Sequence, residues 1–213
     1  MVKRRLLRVT HLNLNIVYDL FINKRGITIK KISGDIRTDY KNTYNAVDFL
    51  FKEGIIKKER VGNYNICRLN YDNEEVIEYL KWHNFAIKVD GFKKRNNVEY
   101  QIIMDTINEL KKEVPAFFIC LVFGSYSKNE EREGSDIDTL FLSYKPIKSK
   151  AVLNRINAPY QRNFHVLEQD IRDFIKDLKN KDKLSIASEI SKEPPIVFYG
   201  ADIFFRMILA EIK

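Results

Sequence analysis

A chain of 213 residues, 45% hydrophobic and 31% charged, has a soluble globular composition with room for one large or two small domains. No apolar run approaches the ~20 residues that cross a bilayer, so no membrane partner is expected. The net charge of +8 is unevenly placed: residues 1–70 hold 15 Lys/Arg against 6 Asp/Glu, a net +9, and residues 71–213 hold 22 against 23, a net −1. That asymmetry implies two modules, the first with an anionic partner.

The N-terminus, MVKRRLLRVTHLNLNIVYDLF, is basic and then apolar. Asn and Asp interrupt the apolar part and no small-residue cleavage site follows, so a secretory leader is not expected and the placement is cytoplasmic. Cys67 and Cys120 sit in apolar, strand-like segments without metal-ligand spacing. They read as buried free thiols of a reducing compartment.

HLNLNIVYDLFINKRG carries Leu12, Ile16, Leu20 and Phe21 at helical spacing and ends at Gly26. TIKKISGDI is a short second helix. RTDYKNTYNAVDFLFKEG is a third, with Thr38 or Asp39 as N-cap, Val47, Leu50 and Phe51 as its buried stripe, and Gly54 as its stop. Two strands follow, IIKKERV and NICRLN, joined by the turn Gly62-Asn63-Tyr64-Asn65.

This order, helix–helix–helix–hairpin, resembles a winged helix-turn-helix domain over about 65 residues. The resemblance implies that the third helix enters the major groove of duplex DNA with Arg37, Tyr40, Lys41, Asn42, Thr43 and Asn45 at its leading end. It also implies a wing that offers Lys57, Lys58, Arg60, Asn63 and Tyr64 to phosphates or the minor groove. The local positive charge fits phosphate neutralisation, and Asp39 and Asp48 oppose it. Winged helices also serve as protein-contact or dimerisation modules, so a homodimer is the competing expectation.

NEEVIEYLKWHNFAIKV has helical spacing at Val76, Leu80 and Trp82, and Trp82 and His83 read as packing residues. GFKKRNN, polar and basic, reads as a hinge. The expected organisation is a first domain over 1–72, a linker helix and hinge over 73–97, and a second domain over 98–213.

The second domain opens with VEYQIIMDTINELKKEV, an amphipathic helix with Ile103, Ile107, Leu110 and Val114 on one face, ended by Pro115. AFFICLVFGS is a strand buried on both faces. After a polar stretch over 126–135, DIDTLFLS and RNFHVLEQ are further strands. DIRDFIKDLKNK and KLSIASEISK are helices, PPIVFYG is a strand and ADIFFRMILAEIK a closing helix. Strands and helices interleave around a small sheet, so the fold class is α+β, with an α/β second domain on a small mixed sheet.

The chemistry lies in Gly124-Ser125, ten residues, then Asp136-Ile137-Asp138. Strand alternation sends both carboxylates to one face. Unpaired, they repel. A divalent cation removes the conflict, and Mg²⁺ binds through one or two carboxylates together with substrate phosphates. The Gly-Ser turn can bind phosphate oxygens through N–H groups and a hydroxyl.

GSYSKNEEREGSDID resembles the DNA polymerase beta-like nucleotidyltransferases, in the form found in minimal and antibiotic-modifying members. The resemblance implies that Gly124 and Ser125 hold the triphosphate and that Asp136 and Asp138 hold Mg²⁺ (or Mn²⁺). It implies transfer of NMP, here AMP from ATP, to a hydroxyl of a protein, an RNA or a small molecule. Lys128 and Arg132 are candidate phosphate ligands from the intervening loop.

Many members carry a third carboxylate on the following strand, where this chain has His165. Three readings stay open. His165 acts as base or weak metal ligand; Glu168 or Asp170 fills the role from the strand end; or the third position is lost. The last leads to the alternative function, a DNA-binding regulator whose transferase-like domain senses nucleotide or dimerises.

Overall fold

The computed structural model describes residues 9–113, 118–180 and 185–211, so Val114, Pro115 and the first residues of the AFFICLVFGS and KLSIASEISK segments lie outside the described residues. The chain divides into two compact units, residues 1–83 and 84–213.

The first unit runs α1 (His11–Ile22), β1 (Ile27–Thr28), α2 (Ile29–Asp35), α3 (Tyr40–Lys52), β2 (Ile56–Val61), β3 (Tyr64–Leu69) and α4 (Glu75–His83). Side-chain oxygens of Thr10, Thr28 and Asp39 cap α1, α2 and α3, each accepting from a backbone N–H three residues on. Gly54, at φ 73°, ends α3 in a conformation that only glycine adopts without strain, and the Gly54 and Ile55 amides close back onto Phe51 and Leu50. β2 and β3 form a hairpin with Gly62 and Asn63 at its turn; Tyr64 and Asn65 belong to β3. The two-residue β1 adds to the other edge of β3, giving an antiparallel sheet in the order β1-β3-β2.

Leu14, Val17, Leu20, Phe21, Ile32, Val47, Leu50, Ile56, Leu69, Val76 and Leu80 are buried between these elements. Each contributes about 1.5–3 kcal/mol of transfer free energy. The buried stripe of α3 is Thr43, Val47 and Leu50; Phe51, expected inside, is exposed. Helix α4 packs on α1, so the segment expected to be a linker is split: its first half completes this unit. His83 does pack, stacked on Tyr18 with ring centroids 3.8 Å apart, but Trp82 is exposed.

Asp19 is buried on α1, with Oδ2 unbonded and Oδ1 accepting from Asn23. Burial, reinforced by Asp35, raises its pKa to about 6. The folded pKa exceeds the unfolded one, so the folded state binds the extra proton. Stability from this site is fullest below the ordinary carboxylate pKa, is lost as the pH rises towards 6, and is level above that. Asp19→Asn is therefore expected to stabilise the protein by about 1–2 kcal/mol above pH 6, after discounting for partial solvation, and to be neutral below pH 4. Urea denaturation of both proteins across that range checks it.

The second unit begins with a π-helical turn, Asn84–Val89, then α5 (Asp90–Arg95) and α6 (Asn97–Glu113). β4 (Phe118–Val122), α7 (Ser125–Lys128), β5 (Ile137–Ser143), α8 (Ser149–Asn157), β6 (Phe164–Asp170), α9 (Ile171–Lys179), α10 (Ile186–Lys192), β7 (Ile196–Tyr199) and α11 (Ala201–Ala210) follow. The sheet is mixed, in the order β6-β5-β4-β7, with β5 and β6 parallel and the other pairs antiparallel.

One face of the sheet buries Phe118, Cys120, Val122, Ile137, Phe141 and Val166 with residues of α5, α6 and α8. The alternate residues Ile119, Leu121, Leu140 and Leu142 are buried on the other face. There α9 packs on β5 and β6, and α11 on β7. Both cysteines are buried free thiols.

The segment expected to be a hinge is built into this unit. Asn84 uses its side-chain amide as a surrogate strand, donating to Val197 O (2.7 Å) and accepting from Val197 N (2.9 Å) at the edge of β7. Phe92 of α5 is fully buried. Among the described residues no helix is long and apolar enough to cross a membrane.

Candidate active site

β5 is buried along its length except at one position, Asp138. A partly exposed carboxylate in an otherwise buried strand is not explained by packing. Asp136 is exposed and lies just before the strand, which starts at Ile137 rather than at Asp136.

Parallel pairing of β5 with β6 sets Asp138 directly beside His165. His165 Nδ1 is 3.0 Å from Asp138 Oδ1. Nδ1 faces the carboxylate, which leaves Nε2 on the exposed side of the ring.

Antiparallel pairing with β4 brings the third component. Phe123 N donates to Asp138 O (3.0 Å), so the chain leaves β4 alongside the carboxylate. Gly124 follows with φ 67° and ψ −147°. A Cβ at this position would lie 2.5 Å from Asp138 Oδ2, so only glycine lets the turn and the carboxylate approach this closely. Ser125 opens α7, and the Ser127 N–H and hydroxyl both donate to Gly124 O (3.2 and 2.9 Å).

The polar stretch after the turn is held from outside. Arg95 of α5 bonds Asn129 and Glu131, and Asn96 bonds Glu131. Sequence reading had no means to find Arg95 and Asn96, because their partners are more than thirty residues away. Lys128, expected to bind phosphate, is ion-paired with Glu193 at the end of α10, which holds its ammonium above the usual lysine pKa. Arg132 is exposed.

The alternative third acids are committed elsewhere. Glu168 accepts from the Ser149 hydroxyl (2.6 Å) and the Lys150 amide (2.9 Å), which makes it a cap for α8. Asp170 caps α9 through Arg172 N and pairs with the Arg172 guanidinium, which holds its pKa down to about 2. In the β5–β6 register they stand opposite Phe141 and Ser143, three and five residues beyond Asp138. Glu168→Gln is expected to lower stability by about 1 kcal/mol, a Tm shift of about 2–4 °C, and to leave catalysis within a few-fold. Calorimetry and turnover on the same preparation check it.

A cleft of about 790 Å³ opens on the same face, one alternation beyond Asp138 and His165. Leu140, Leu167 and Gln169 form its floor, and α10 contributes Ser188, Glu189 and Lys192. Among the described residues no three His, Cys, Asp or Glu side chains cluster as a self-sufficient metal site. Two carboxylates and a glycine turn suit a cation that takes its remaining ligands from bound phosphates.

Residues 103–197 match the family model of the nucleotidyltransferase domain. The matched segment runs from α6 to β7 and contains the turn, both aspartates and His165. Searches of curated proteins and of solved structures gave no match to the chain. A nucleotidyltransferase domain implies nucleotide binding and nucleotidyl transfer, and such domains generally use an NTP and a divalent metal. The matched segment concentrates its polar groups where β4 ends and β5 and β6 begin.

In the first unit the candidate nucleic-acid residues divide. Thr43 is fully buried and its hydroxyl donates to Asp39 O (2.9 Å), so it cannot reach a base edge; this corrects the sequence expectation. Arg37, Tyr40, Lys41, Asn42 and Asn45 are exposed. At 100° per residue they do not share a face. Asn42 and Asn45 line a groove with His11 and Asn15 of α1, and Tyr40 and Tyr44 lie on the opposite side of α3.

The wing cations are largely neutralised. Lys57 pairs with Asp72, Lys58 with Asp48, and the neighbouring Arg68 with Glu59. Arg60 donates to Gly62 O (3.3 Å). Asn63 and Tyr64 are exposed at the hairpin tip.

Proposed function

We propose that the protein transfers a nucleoside monophosphate, AMP in our reading, from an NTP to a hydroxyl acceptor at the site of Gly124, Asp136, Asp138 and His165. The observation that carries this is the closeness of three strand ends: Asp138 stands between His165 at 3.0 Å and a glycine with no room for a Cβ.

Asp136 and Asp138 would hold Mg²⁺ or Mn²⁺, whose chemistry when bound is neutralisation of charge on the reacting phosphates. Gly124 keeps the turn close, and Ser125 offers its amide and hydroxyl to the triphosphate. Lys128, exchanged from Glu193, adds a positive charge. His165 Nε2 takes the proton of the acceptor hydroxyl as its oxygen bonds the α-phosphorus and the bond to pyrophosphate breaks. The adjoining cleft is large enough to seat a small acceptor or an acceptor side chain.

For the first unit we propose a winged helix-turn-helix that binds nucleic acid. The element order, the hairpin and the third strand from β1 support that reading. A second reading of the whole, a DNA-bound regulator with a nucleotide-sensing domain, is favoured by one observation, the histidine where a third carboxylate is common in this family.

The two readings separate in one assay: the protein with each labelled NTP, Mg²⁺ or Mn²⁺, and cell lysate or RNA. Metal-dependent incorporation that is lost in Asp136→Asn/Asp138→Asn supports transfer. Nucleotide binding without incorporation or pyrophosphate release supports the sensor.

A further inference from the structure

We infer that the first unit binds single-stranded nucleic acid by base stacking on one face of α3, rather than reading duplex DNA through the groove. The inference rests on the nucleic-acid reading of this unit and is independent of the transferase site.

Tyr40, Tyr44 and Phe51 are 44–53% exposed, unusual for three large rings on one 13-residue helix. At 100° per residue they fall within about 40° of one another and form a single aromatic row. Tyr40 and Tyr44 have ring centroids 6.4 Å apart. Lys58 from β2 lies over both Tyr44 and Phe51, 5.9 and 4.7 Å from the ring centroids. Asp48, beside the row, is paired with Lys52 and Lys58 together, so the patch carries net positive charge. Arg37 and Lys41, at the leading end of the helix, extend it.

Duplex recognition asks for polar side chains aimed at base edges and free cations aimed at phosphates. This unit does not meet the first demand: Thr43 is buried, and Asn42 and Asn45 face the groove on the opposite side of α3. Exposed rings interleaved with cations provide what an unpaired strand needs: π-faces for bases and a positive track for the backbone. Charge complementarity also separates this occupant from a second copy of the chain, which would oppose like charges across the contact.

The test is fluorescence anisotropy on the full chain, without nucleotide or metal, using a labelled oligouridylate of ~20 nucleotides and a DNA duplex of equal length. The oligouridylate is expected to bind about 10-fold or more tightly than the duplex. Tyr40→Ala/Tyr44→Ala is expected to weaken it about 10-fold or more, and Tyr40→Phe/Tyr44→Phe to change it less than about 2-fold, because stacking needs the ring and not the hydroxyl. Circular dichroism establishes that both variants fold. Equal or tighter duplex binding overturns the proposal, as does a Phe variant as weak as the Ala variant. Failure to bind either probe overturns it together with the nucleic-acid reading. A dimer by sedimentation that the Ala variant dissociates assigns the face to self-association instead.

Discussion

Gly124→Ala is expected to lower nucleotidyl transfer by about 10²-fold or more while the protein stays folded. The added methyl would sit 2.5 Å from Asp138 Oδ2, far inside van der Waals contact. The backbone at φ 67° and ψ −147° is also closed to alanine, so the turn must rotate. Either adjustment moves the turn amides proposed to bind phosphate away from the carboxylate that would hold the cation. A displacement of about 1 Å at a reacting centre is enough for a loss of this size. Because Gly124 follows β4 and is not in the core, the strain of about 1–3 kcal/mol lowers the melting temperature by several degrees without unfolding the protein. The measurement is steady-state incorporation of label beside a thermal melt; a variant with undiminished transfer would show that the turn does not face the reaction.

Asp138→Asn is expected to remove about 10³-fold of transfer, the several kcal/mol that a charge-neutralising metal contributes in the transition state. Asparagine keeps the shape and can still accept from His165 Nδ1, so the geometry of the β5–β6 junction is retained. What disappears is the negative charge. The expected signature is a higher metal concentration for half-maximal rate together with a lower rate at saturating metal, with nucleotide binding weakened only where it depends on metal. Metal titrations of both proteins, followed by incorporation and by nucleotide binding, check it. A variant whose dependence on metal concentration is unchanged from the parent's would place the cation elsewhere.

Much of this site is legible in the sequence because its components are local. The Gly-Ser turn and the Asp-Ile-Asp step each carry their own backbone logic, and the apolar runs on either side make them strand ends. The identity of the third group is not local. His165 becomes the neighbour of Asp138 through parallel pairing of two strands separated by a helix.

That helix, α8, escaped sequence reading for a related reason. Its N-cap position is Lys148, with no side-chain cap of its own, and the orphan amide of Lys150 is satisfied by Glu168 from the next strand. The same carboxylate, read by itself, looked like a candidate catalytic acid. In the first unit the helices follow their caps, but the two-residue β1 exists only because β3 offers it an edge. The inward turn of Thr43 was readable: it lies four residues before Val47 on the same stripe, and its hydroxyl finds a backbone carbonyl. Expecting polar residues to face outward hid it.

The most direct measurement of the central claim compares two labels in one reaction. The protein is given ATP labelled at the α- or the γ-phosphate, Mg²⁺ or Mn²⁺, and a cell lysate, beside Asp136→Asn/Asp138→Asn. The site described predicts that the α-label enters an acceptor, that the γ-label leaves as pyrophosphate, and that both signals vanish in the double variant. Transfer of the γ-label, or α-label incorporation that survives in the double variant, would contradict it.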